Sequence, residues 1–211
     1  ALWVQRLHQA LALREQLYDQ PFYRLVFGES DGLPGLVVDR YDDLLVVQIT
    51  TAGMERARAE ILTALEQVAR PATILLRNDT AVRELEGLPL DNEVILGDPP
   101  AEIEVPEHGN RFLVSPLTGQ KTGWFFDQAE NRGRLARFGP PRRALDVCSY
   151  VGAWGLRAAS LGAEEVVCVD SSAAALEGVG ENAERNGLLD RITGLQGDAF
   201  EVLRLLKEQG E

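Results

Sequence analysis

The sequence predicts an α/β fold in which a doubly wound parallel sheet follows a small α+β domain. From residue 144 onwards, short apolar runs alternate with helical stripes, a pattern typical of right-handed strand–helix–strand crossovers. Three of the runs lead into an aspartate: Asp146, Asp170 and Asp198. Because ligands of open α/β sheets bind beyond the carboxyl ends of the strands, we expect these carboxylates to lie along one ligand-binding edge.

The first hundred residues have the pattern of a compact α+β unit. Residues 1–19 carry an imperfect helical stripe, which we interpret as a linker helix that follows a further N-terminal domain. Residues 23–49 consist of short apolar runs separated by turn residues and predict an antiparallel meander. A one-sided helical stripe over 55–68 and a strand at 73–76 complete a central domain predicted to span residues 20–100.

The rest of the chain, residues 101–211, is predicted to be a second domain that opens with a β-hairpin. Apolar residues at 103–105 and 112–114 flank the turn sequence Glu-His-Gly-Asn, which is a hairpin signal. A helix is predicted near residues 127–138, and the alternating strand–helix pattern begins after it.

Composition restricts the class of protein. The chain has 211 residues, 45% of them hydrophobic, and contains no apolar run near the roughly 20 residues that span a bilayer. Since no secretory pattern is visible either, we expect a cytoplasmic protein that does not bind a membrane. A net charge of −12 disfavours nucleic-acid binding by overall electrostatics, so any RNA contact must be local. The best local candidate for an RNA contact is a basic stretch: Arg132, Arg134, Arg137, Arg142 and Arg143. The solvated face of a helix followed by a linker would account for these arginines equally well.

The two cysteines, Cys148 and Cys168, both fall within predicted buried strands. Their spacing matches no metal site and the sequence does not indicate secretion, so we expect reduced thiols and no metal. A small buried hydrophobic residue is far more common at such positions than a nucleophile, so neither cysteine is expected to be catalytic.

The loop after Asp146 indicates which ligand the edge binds. A dinucleotide site needs the pattern G-x-G-x-x-G, but here Tyr150 stands at the first glycine position and the bulky Trp154 follows. S-adenosylmethionine (SAM) carries no phosphate, and its carboxylate can face the N-terminus of a helix that starts near Gly152. We therefore predict a SAM site whose loop residues are Asp146, Ser149, Tyr150 and Gly152.

The other two aspartates are predicted to bind the nucleoside part of SAM. Asp170 can accept both ribose hydroxyls through charge-assisted hydrogen bonds. Its alternative role is a helix N-cap, which Ser171 or Ser172 could take instead and so leave Asp170 free for the ligand. Asp198 is predicted to reach the adenine amino group with Ala199 beside the ring, and Ser171 is counted among the cofactor-binding residues.

Two stretches of the sequence carry a resemblance to a known family. Residues 119–132 read Gly-Gln-Lys-Thr-Gly-Trp-Phe-Phe-Asp-Gln-Ala-Glu-Asn-Arg, and residues 145–154 read Leu-Asp-Val-Cys-Ser-Tyr-Val-Gly-Ala-Trp. With them the chain resembles the PUA-domain-bearing class I SAM-dependent methyltransferases that modify large-subunit ribosomal RNA at carbon 5 of cytosine. The likeness extends over nearly the whole chain and is strongest between residues 112 and 200.

The resemblance implies a PUA domain before residue 1, an RNA-facing central domain and a Rossmann-like class I methyltransferase sheet. It also implies ribosomal RNA as the partner and places Phe126, Asp127 and Gln128 near the cofactor. The sequence departs from the family at Ala129, where an arginine is usual, and at Ala153, where a second glycine is usual.

The resemblance further implies that the sheet is partial and truncated at its C-terminal side. The family's Asp/Asn-Pro-Pro motif and its nucleophilic cysteine lie beyond the equivalent of residue 211, so no catalytic residue is expected in this chain. The fragment is therefore predicted to bind cofactor at most. Truncation would leave the first strand of the sheet unpaired along one side, an edge that a second copy could cover in a homodimer.

Two other functions are compatible with the pattern. An NAD-type Rossmann oxidoreductase would bind a dinucleotide at the same edge, although the missing glycines disfavour it. A non-catalytic RNA-binding or assembly module would share the sheet without binding SAM. Titration with S-adenosylhomocysteine (SAH), NAD and RNA would distinguish the three.

Overall fold

A computed structural model describes residues 2–139 and 141–209 of the chain. They form two compact units. The first comprises the chain up to residue 103 together with residues 115–127, and the second comprises residues 104–114 and the chain from residue 128 onwards. None of the helices in these described ranges is long and apolar enough to cross a membrane.

The first unit is built on a five-stranded sheet. Its helices and strands, in chain order, are α1 (Leu2–Leu17), β1 (Phe22–Phe27), β2 (Leu36–Tyr41), β3 (Leu44–Ile49), α2 (Ala52–Arg56), α3 (Arg58–Ala69), β4 (Thr73–Asn78), α4 (Val82–Leu85) and β5 (Asp91–Leu96). The strands lie in the order β1-β2-β3-β4-β5, with β3 and β4 parallel and the other neighbours antiparallel. The antiparallel meander predicted over residues 23–49 is thus confirmed as β1 to β3.

One face of this sheet is apolar and packs against α1 and α3. Because residues two apart on a strand share a face, Leu45 and Val47 of β3 enter the core together, where they join Ile61 of α3. α1 packs against α3, and its Leu7 and Leu11 belong to the same core. The helix interpreted as a linker is therefore an integral part of the first unit.

The opposite face of the sheet carries polar groups and is covered by residues 115–127. Asp39 of β2 is fully buried there and accepts hydrogen bonds from Arg24 and, at 2.5 Å, from the Thr122 hydroxyl. The Tyr41 hydroxyl donates to the Thr122 carbonyl at 3.0 Å. Although the sequence pattern places residues 115–127 in the second domain, they pack on the first unit, because they satisfy polar groups that its sheet buries.

The second unit contains a β-hairpin and a three-stranded parallel sheet. Its elements, counting the whole of the first strand, are β6 (Ile103–Glu107), β7 (Asn110–Val114), α5 (Ala129–Arg134), β8 (Arg143–Val147), α6 (Ala153–Ser160), β9 (Glu165–Asp170), α7 (Ala173–Arg185), β10 (Ile192–Gln196) and α8 (Ala199–Gln209). The sheet has the order β10-β9-β8 with both pairs parallel, which confirms the predicted strand–helix alternation. Over the part of the chain described here, β8 pairs only with β9, so its outer edge is unpaired.

The predicted hairpin is present and the predicted helix is shorter than expected. His108 and Gly109 connect β6 and β7, with φ of 49° and 85°, the two left-handed residues that a type I′ turn requires. In place of one helix over 127–138, α5 lies between 3-10 turns at Phe126–Gln128 and Leu135–Phe138.

Candidate functional site

The three predicted aspartates lie at the carboxyl ends of the parallel strands in the second unit. Asp170 is the last residue of β9, Asp146 lies one residue before the end of β8, and Asp198 comes two residues after β10. Because the last residue of β10, Gln196, pairs with Asp170, the strand ends lie level with each other. The structure therefore places the three carboxylates along one edge of the sheet, where open α/β sheets bind their ligands.

The loop between β8 and α6 turns tightly because three of its residues are left-handed. The φ angle is 60° at Cys148, 49° at Tyr150 and 83° at Gly152. For a non-glycine residue this conformation costs roughly 1–2 kcal/mol, and backbone strain of this kind clusters at ligand sites. A Cβ atom at Gly152 would lie 2.6 Å from Leu156 Cδ1, so space as well as backbone conformation requires glycine there.

Asp146 holds the N-terminal turn of α6 against the sheet. Its Oδ2 accepts a hydrogen bond of 2.8 Å from the Gly155 N–H. The helix can come this close because a Cβ atom at Gly155 would lie only 2.6 Å from Cys168 Sγ. Burial raises the pKa of Asp146 to about 6, against the opposing effect of the Gly155 bond; the Asp170 carboxylate also raises it and Arg132 lowers it. Asp146 therefore has a clear structural role and a carboxyl group that ionises less readily than an exposed one.

Asp170 is buried and already bonded to backbone donors. Its Oδ2 accepts from Tyr150 N–H at 2.9 Å and its Oδ1 from Ser172 N–H at 3.0 Å. Ser172 is the N-cap of α7, since its hydroxyl accepts from Ala175 N–H, as predicted. Although Ser172 is the cap, Asp170 also has backbone partners, because its two carboxylate oxygens hold the loop and the helix start. Each oxygen keeps a further lone pair for a ligand hydroxyl.

Asp198 caps helix α8. Its Oδ1 accepts hydrogen bonds from Phe200 N–H at 2.9 Å and Glu201 N–H at 3.2 Å. The adjacent Ala199 is half-buried and the Phe200 ring is 83% exposed. An exposed aromatic ring beside a carboxylate at the sheet edge suits a flat heterocycle with an amino group. Ser171, next to Asp170, is exposed at the same strand end.

Ser149 carries a buried hydroxyl that has no hydrogen-bond partner among the described residues. Its backbone N–H donates to the Val169 carbonyl at 3.0 Å, which fixes the residue beside the end of β9. Buried polar groups of native proteins are nearly always hydrogen-bonded. The orphaned hydroxyl therefore fits a loop whose hydrogen bonds are completed by a ligand.

The three residues that the resemblance places near the cofactor divide between the units. Phe126 and Asp127 lie in the first unit and Gln128 in the second. Phe126 is buried against the Tyr41 ring, with 5.0 Å between ring centroids. Asp127 accepts from Lys121 Nζ at 2.9 Å and 3.0 Å. Their proximity to a cofactor stays a prediction.

The basic stretch is only partly a candidate for RNA contacts. Arg132 is 1% exposed and forms two hydrogen bonds with Glu107, so it ties α5 to the hairpin and is not a surface cation. Arg142 pairs with the exposed Glu164. Arg134 and Arg137 are exposed.

The two cysteines differ in their environments. Cys168 is fully buried on β9, and burial, with a further contribution from Asp146, raises the pKa of its thiol to about 12. Cys148 is exposed and lies just after β8 in the left-handed turn, so its predicted position inside a buried strand is wrong. The reason is that β8 ends at Val147 in order to enter the tight loop.

Asn182 supports the loop and is absent from the sequence prediction. It is fully buried on α7, donates to the Val151 carbonyl at 3.3 Å and accepts from Leu113 N–H at 2.7 Å. It therefore joins the loop, the helix and β7. The sequence does contain a signal for Asn182: it lies on the apolar side of α7, one residue before Ala183. A polar residue on such a side needs hydrogen-bond partners.

Comparison with known proteins shows extended similarity to one group of enzymes. The chain is 41% identical over 209 residues to ribosomal RNA large subunit methyltransferase I of Erwinia tasmaniensis, covering 98% of this chain and 52% of that protein. It is 39% identical to the protein of that name from Serratia proteamaculans, covering 99% of this chain and 54% of that one. The chain thus spans about half the length of the curated relatives it matches. The protein-family model described as Conserved hypothetical protein 95 matches residues 116–211.

Solved structures show the same fold. A proposed SAM-dependent methyltransferase from Streptococcus mutans matches with a TM-score of 0.86 at 20% identity, over 99% of this chain and 55% of that chain. A proposed methyltransferase in complex with SAH matches with a TM-score of 0.85 at 21% identity, over 99% of this chain and 55% of that chain. A SAM-dependent methyltransferase from Agrobacterium tumefaciens matches with a TM-score of 0.65 at 19% identity, over 92% of this chain and 58% of that chain. The chain therefore has a Rossmann-like methyltransferase fold.

Proposed function

We propose that the chain is the cofactor-binding part of a SAM-dependent methyltransferase that acts on carbon 5 of a cytosine in large-subunit ribosomal RNA. The observation that carries the SAM site is the left-handed loop with its orphaned Ser149 hydroxyl, set between Asp146 and Asp170 at the end of a parallel sheet. The sequence similarity to large-subunit ribosomal RNA methyltransferases supports the RNA substrate. An RNA-facing first unit, a PUA domain and the carbon 5 position rest on the family resemblance.

The loop and the start of α6 would hold the amino-acid end of the cofactor. A helix N-terminus has a partial positive charge and N–H groups without a carbonyl partner in the helix, which favour a carboxylate; in the first turn of α6 the Gly155 N–H already donates to Asp146. Ser149 would supply a hydroxyl, and the backbone of Tyr150 and Gly152 would lie along the ligand. The carboxylate of Asp146 lies at the same helix start, where a ligand ammonium group would favour its ionised form.

Asp170 would bind the ribose, and the start of α8 would bind the adenine. The two backbone bonds fix the Asp170 carboxylate in one orientation, and its remaining lone pairs can accept two hydroxyls. Asp198 is held by the backbone of α8 and would accept from the adenine amino group, with Ala199 and Ser171 at the rim. Phe126, Asp127 and Gln128 would complete the cofactor contacts; this part of the proposal comes from the resemblance.

SAM supplies an electrophilic methyl group when it is bound. Carbon 5 of cytosine becomes a nucleophile only after a thiolate adds to carbon 6, and a base inside a duplex must leave the stack to be reached. We assign no residue of this chain to that addition. The contribution of the chain is to bind and orient the cofactor so that its methyl group faces the base.

Calorimetric titration of the chain with SAH, with NAD and with an SAH analogue that lacks a ribose hydroxyl tests the cofactor site. We expect binding of SAH and none of NAD. Replacing Asp170 by Asn should weaken SAH binding by about 10- to 100-fold, because a hydrogen bond to a charged group contributes about 1.5–3 kcal/mol. The same substitution should have much less effect on the analogue, whereas Asp190→Asn, at an exposed aspartate of the second unit, should leave SAH binding unchanged.

Two results would contradict the assignment. Binding of NAD in preference to SAH would favour the oxidoreductase, and RNA binding without any SAH binding would favour a non-catalytic module. The carbon position needs a separate test in the protein over its natural length. Methylation at carbon 5 displaces the hydrogen there, so RNA tritiated at that carbon should release tritium in step with methyl transfer; transfer without release would exclude carbon 5.

A further inference from the structure

Helix α7 supports the loop of residues 148–152, which connects β8 and α6, with residues that share one helix face. Gly178 and Asn182 are four positions apart in α7, so they lie on the same face one turn from each other. Both meet the same loop residue, Val151, which is 8% exposed. The helix and the loop belong to one unit.

Gly178 lets Val151 lie directly against the backbone of the helix. A Cβ atom at Gly178 would be 2.9 Å from Val151 Cγ1, inside the roughly 3.5–4.0 Å at which two carbon atoms pack. Val151 cannot easily turn away, because a β-branched side chain is restricted at χ1. At Gly180, in the same helix, an added Cβ would have no atom within 4 Å. A side chain at residue 178 would therefore displace the loop, whereas one at residue 180 would not.

Asn182 holds the backbone of the same loop residue. Its side-chain amide donates to the Val151 carbonyl at 3.3 Å and to the Leu113 carbonyl at 3.4 Å, and its oxygen accepts from the Leu113 N–H at 2.7 Å. Asn182 is fully buried. Removal of the amide would leave these backbone groups without this partner inside the fold, which costs free energy.

The β-hairpin fixes the position of α7 itself. Asn186, one turn after Asn182, accepts from the Arg111 N–H at 2.9 Å and donates to the Arg111 carbonyl at 2.7 Å. The two asparagines thus bond both backbone groups of two alternate residues of β7, Arg111 and Leu113, as a neighbouring strand would. An element outside the parallel sheet therefore sets where α7, and with it Val151, lies.

Val151 lies between the two residues whose backbone would run along the cofactor. Tyr150 donates its N–H to Asp170 at 2.9 Å, and Gly152 donates its N–H to the Ser149 carbonyl at 2.9 Å. Because consecutive Cα atoms are held about 3.8 Å apart, a shift of Val151 moves the backbone of both neighbours.

We propose that Gly178 and Asn182 are positioning residues for the cofactor, which act through Val151. Gly178 sets how closely the loop approaches α7, and Asn182 ties the loop to this helix and to the hairpin. The inference deepens the proposed function and rests on its SAM site. It gives α7 and the hairpin the task of holding the loop where it would bind the amino-acid end of SAM.

A pair of glycine substitutions tests the contact with Val151. Gly178→Ala and Gly180→Ala both place a better helix former within α7. The added methyl group meets Val151 at residue 178 and no atom within 4 Å at residue 180. We expect Gly178→Ala to weaken SAH binding several-fold in calorimetric titration, although the substitution itself favours the helix. Gly180→Ala should leave the affinity for SAH unchanged, and urea denaturation shows whether both variants are folded.

A pair of asparagine substitutions tests the hydrogen bond to the loop. Asn182→Ala and Asn186→Ala each remove two bonds to β7, but only Asn182→Ala also removes the bond to Val151. Both substitutions should lower the free energy of unfolding. Only Asn182→Ala should weaken SAH binding and speed the hydrogen exchange of the Tyr150 N–H, measured by NMR without SAH well below the unfolding temperature.

The outcomes separate this inference from the proposed function. Equal SAH affinities of the two glycine variants would overturn the inference and leave the cofactor site intact. Equal changes of SAH affinity and of Tyr150 exchange in the two asparagine variants would also overturn it, because they would indicate a general weakening of the fold. If Asn182→Ala does not fold, the glycine pair decides alone. Absence of SAH binding by the unmodified chain would overturn the cofactor site and this inference together.

Discussion

Replacing Asp146 by Asn should stabilise the protein at neutral pH and weaken its binding of SAH. Burial raises the pKa of Asp146 from 3.8 to about 6. Two pKa units correspond to roughly 3 kcal/mol of preference for the protonated acid in the folded state. The protonated carboxyl group of Asp146 contributes this stability in full below the unfolded-state pKa, and the contribution is lost as pH rises through the folded-state pKa. Above pH of about 6 the ionised carboxylate therefore destabilises the fold. An Asn amide carries no charge, and its oxygen can still accept the Gly155 N–H.

The free energy of unfolding of both proteins is measured by urea denaturation between pH of about 5 and about 8. The folded-state pKa of about 6 lies one unit above pH 5. The difference in free energy of unfolding between the variant and the unmodified protein should therefore grow by about 1.4 kcal/mol from pH of about 5 to about 8. Asp190→Asn, at an exposed aspartate, controls for the removal of one negative charge. An advantage that is the same at both ends of the range would refute the reasoning, because it would mean that Asp146 titrates alike in the folded and unfolded chain. Unchanged SAH affinity would show that the carboxylate serves α6 only.

The remaining predictions concern packing and buried polar groups. Thr122→Val should lower the free energy of unfolding by about 1–3 kcal/mol in urea denaturation, because it leaves the buried Asp39 carboxylate with one donor fewer. An unchanged denaturation midpoint would mean that this bond does not hold residues 115–127 to the sheet. Gly155→Ala should lower the melting temperature, because its Cβ atom would lie 2.6 Å from Cys168 Sγ. Gly180→Ala is the control, because Gly180 lies in helix α7 and no atom lies within 4 Å of the added Cβ. It should raise the free energy of unfolding by up to about 1 kcal/mol. Equal effects of the two substitutions would contradict the close packing of α6.

Much of the fold could be predicted because its signals are local. The meander β1 to β3, the hairpin turn at His108–Gly109 and the three parallel strands are each specified by residues a few positions apart. Turn residues and the alternation of apolar side chains are read within one window of sequence. The same holds for the N-cap of α7, which the sequence narrows to Ser171 or Ser172 and which the structure shows to be Ser172.

The place of residues 115–127 could not be predicted because it depends on contacts between distant parts of the chain. Thr122 bonds Asp39 across 83 positions, and Arg77 bonds the carbonyls of Pro116 and Gly119 across 39 and 42. A polar residue within an apolar strand such as β2 indicates that some partner exists, but not where along the chain the partner lies. The sequence motif that carries the resemblance is therefore also a structural element of the first unit.

The state of the carboxylates could not be predicted either, because backbone hydrogen bonding depends on geometry that a sequence pattern does not contain. Asp146, Asp170 and Asp198 all accept backbone N–H groups, so each has a structural function before any ligand is considered. These bonds do not compete with a ligand role, since a carboxylate has about four acceptor positions. They orient it in advance, so a ligand that donates to the remaining positions finds acceptors that need no further ordering. The loop itself would then be the sensitive part of the site. Asp170 holds its left-handed residue Tyr150, and Asn182 holds the next residue, Val151. Loss of either bond should weaken SAH binding before it destabilises the sheet.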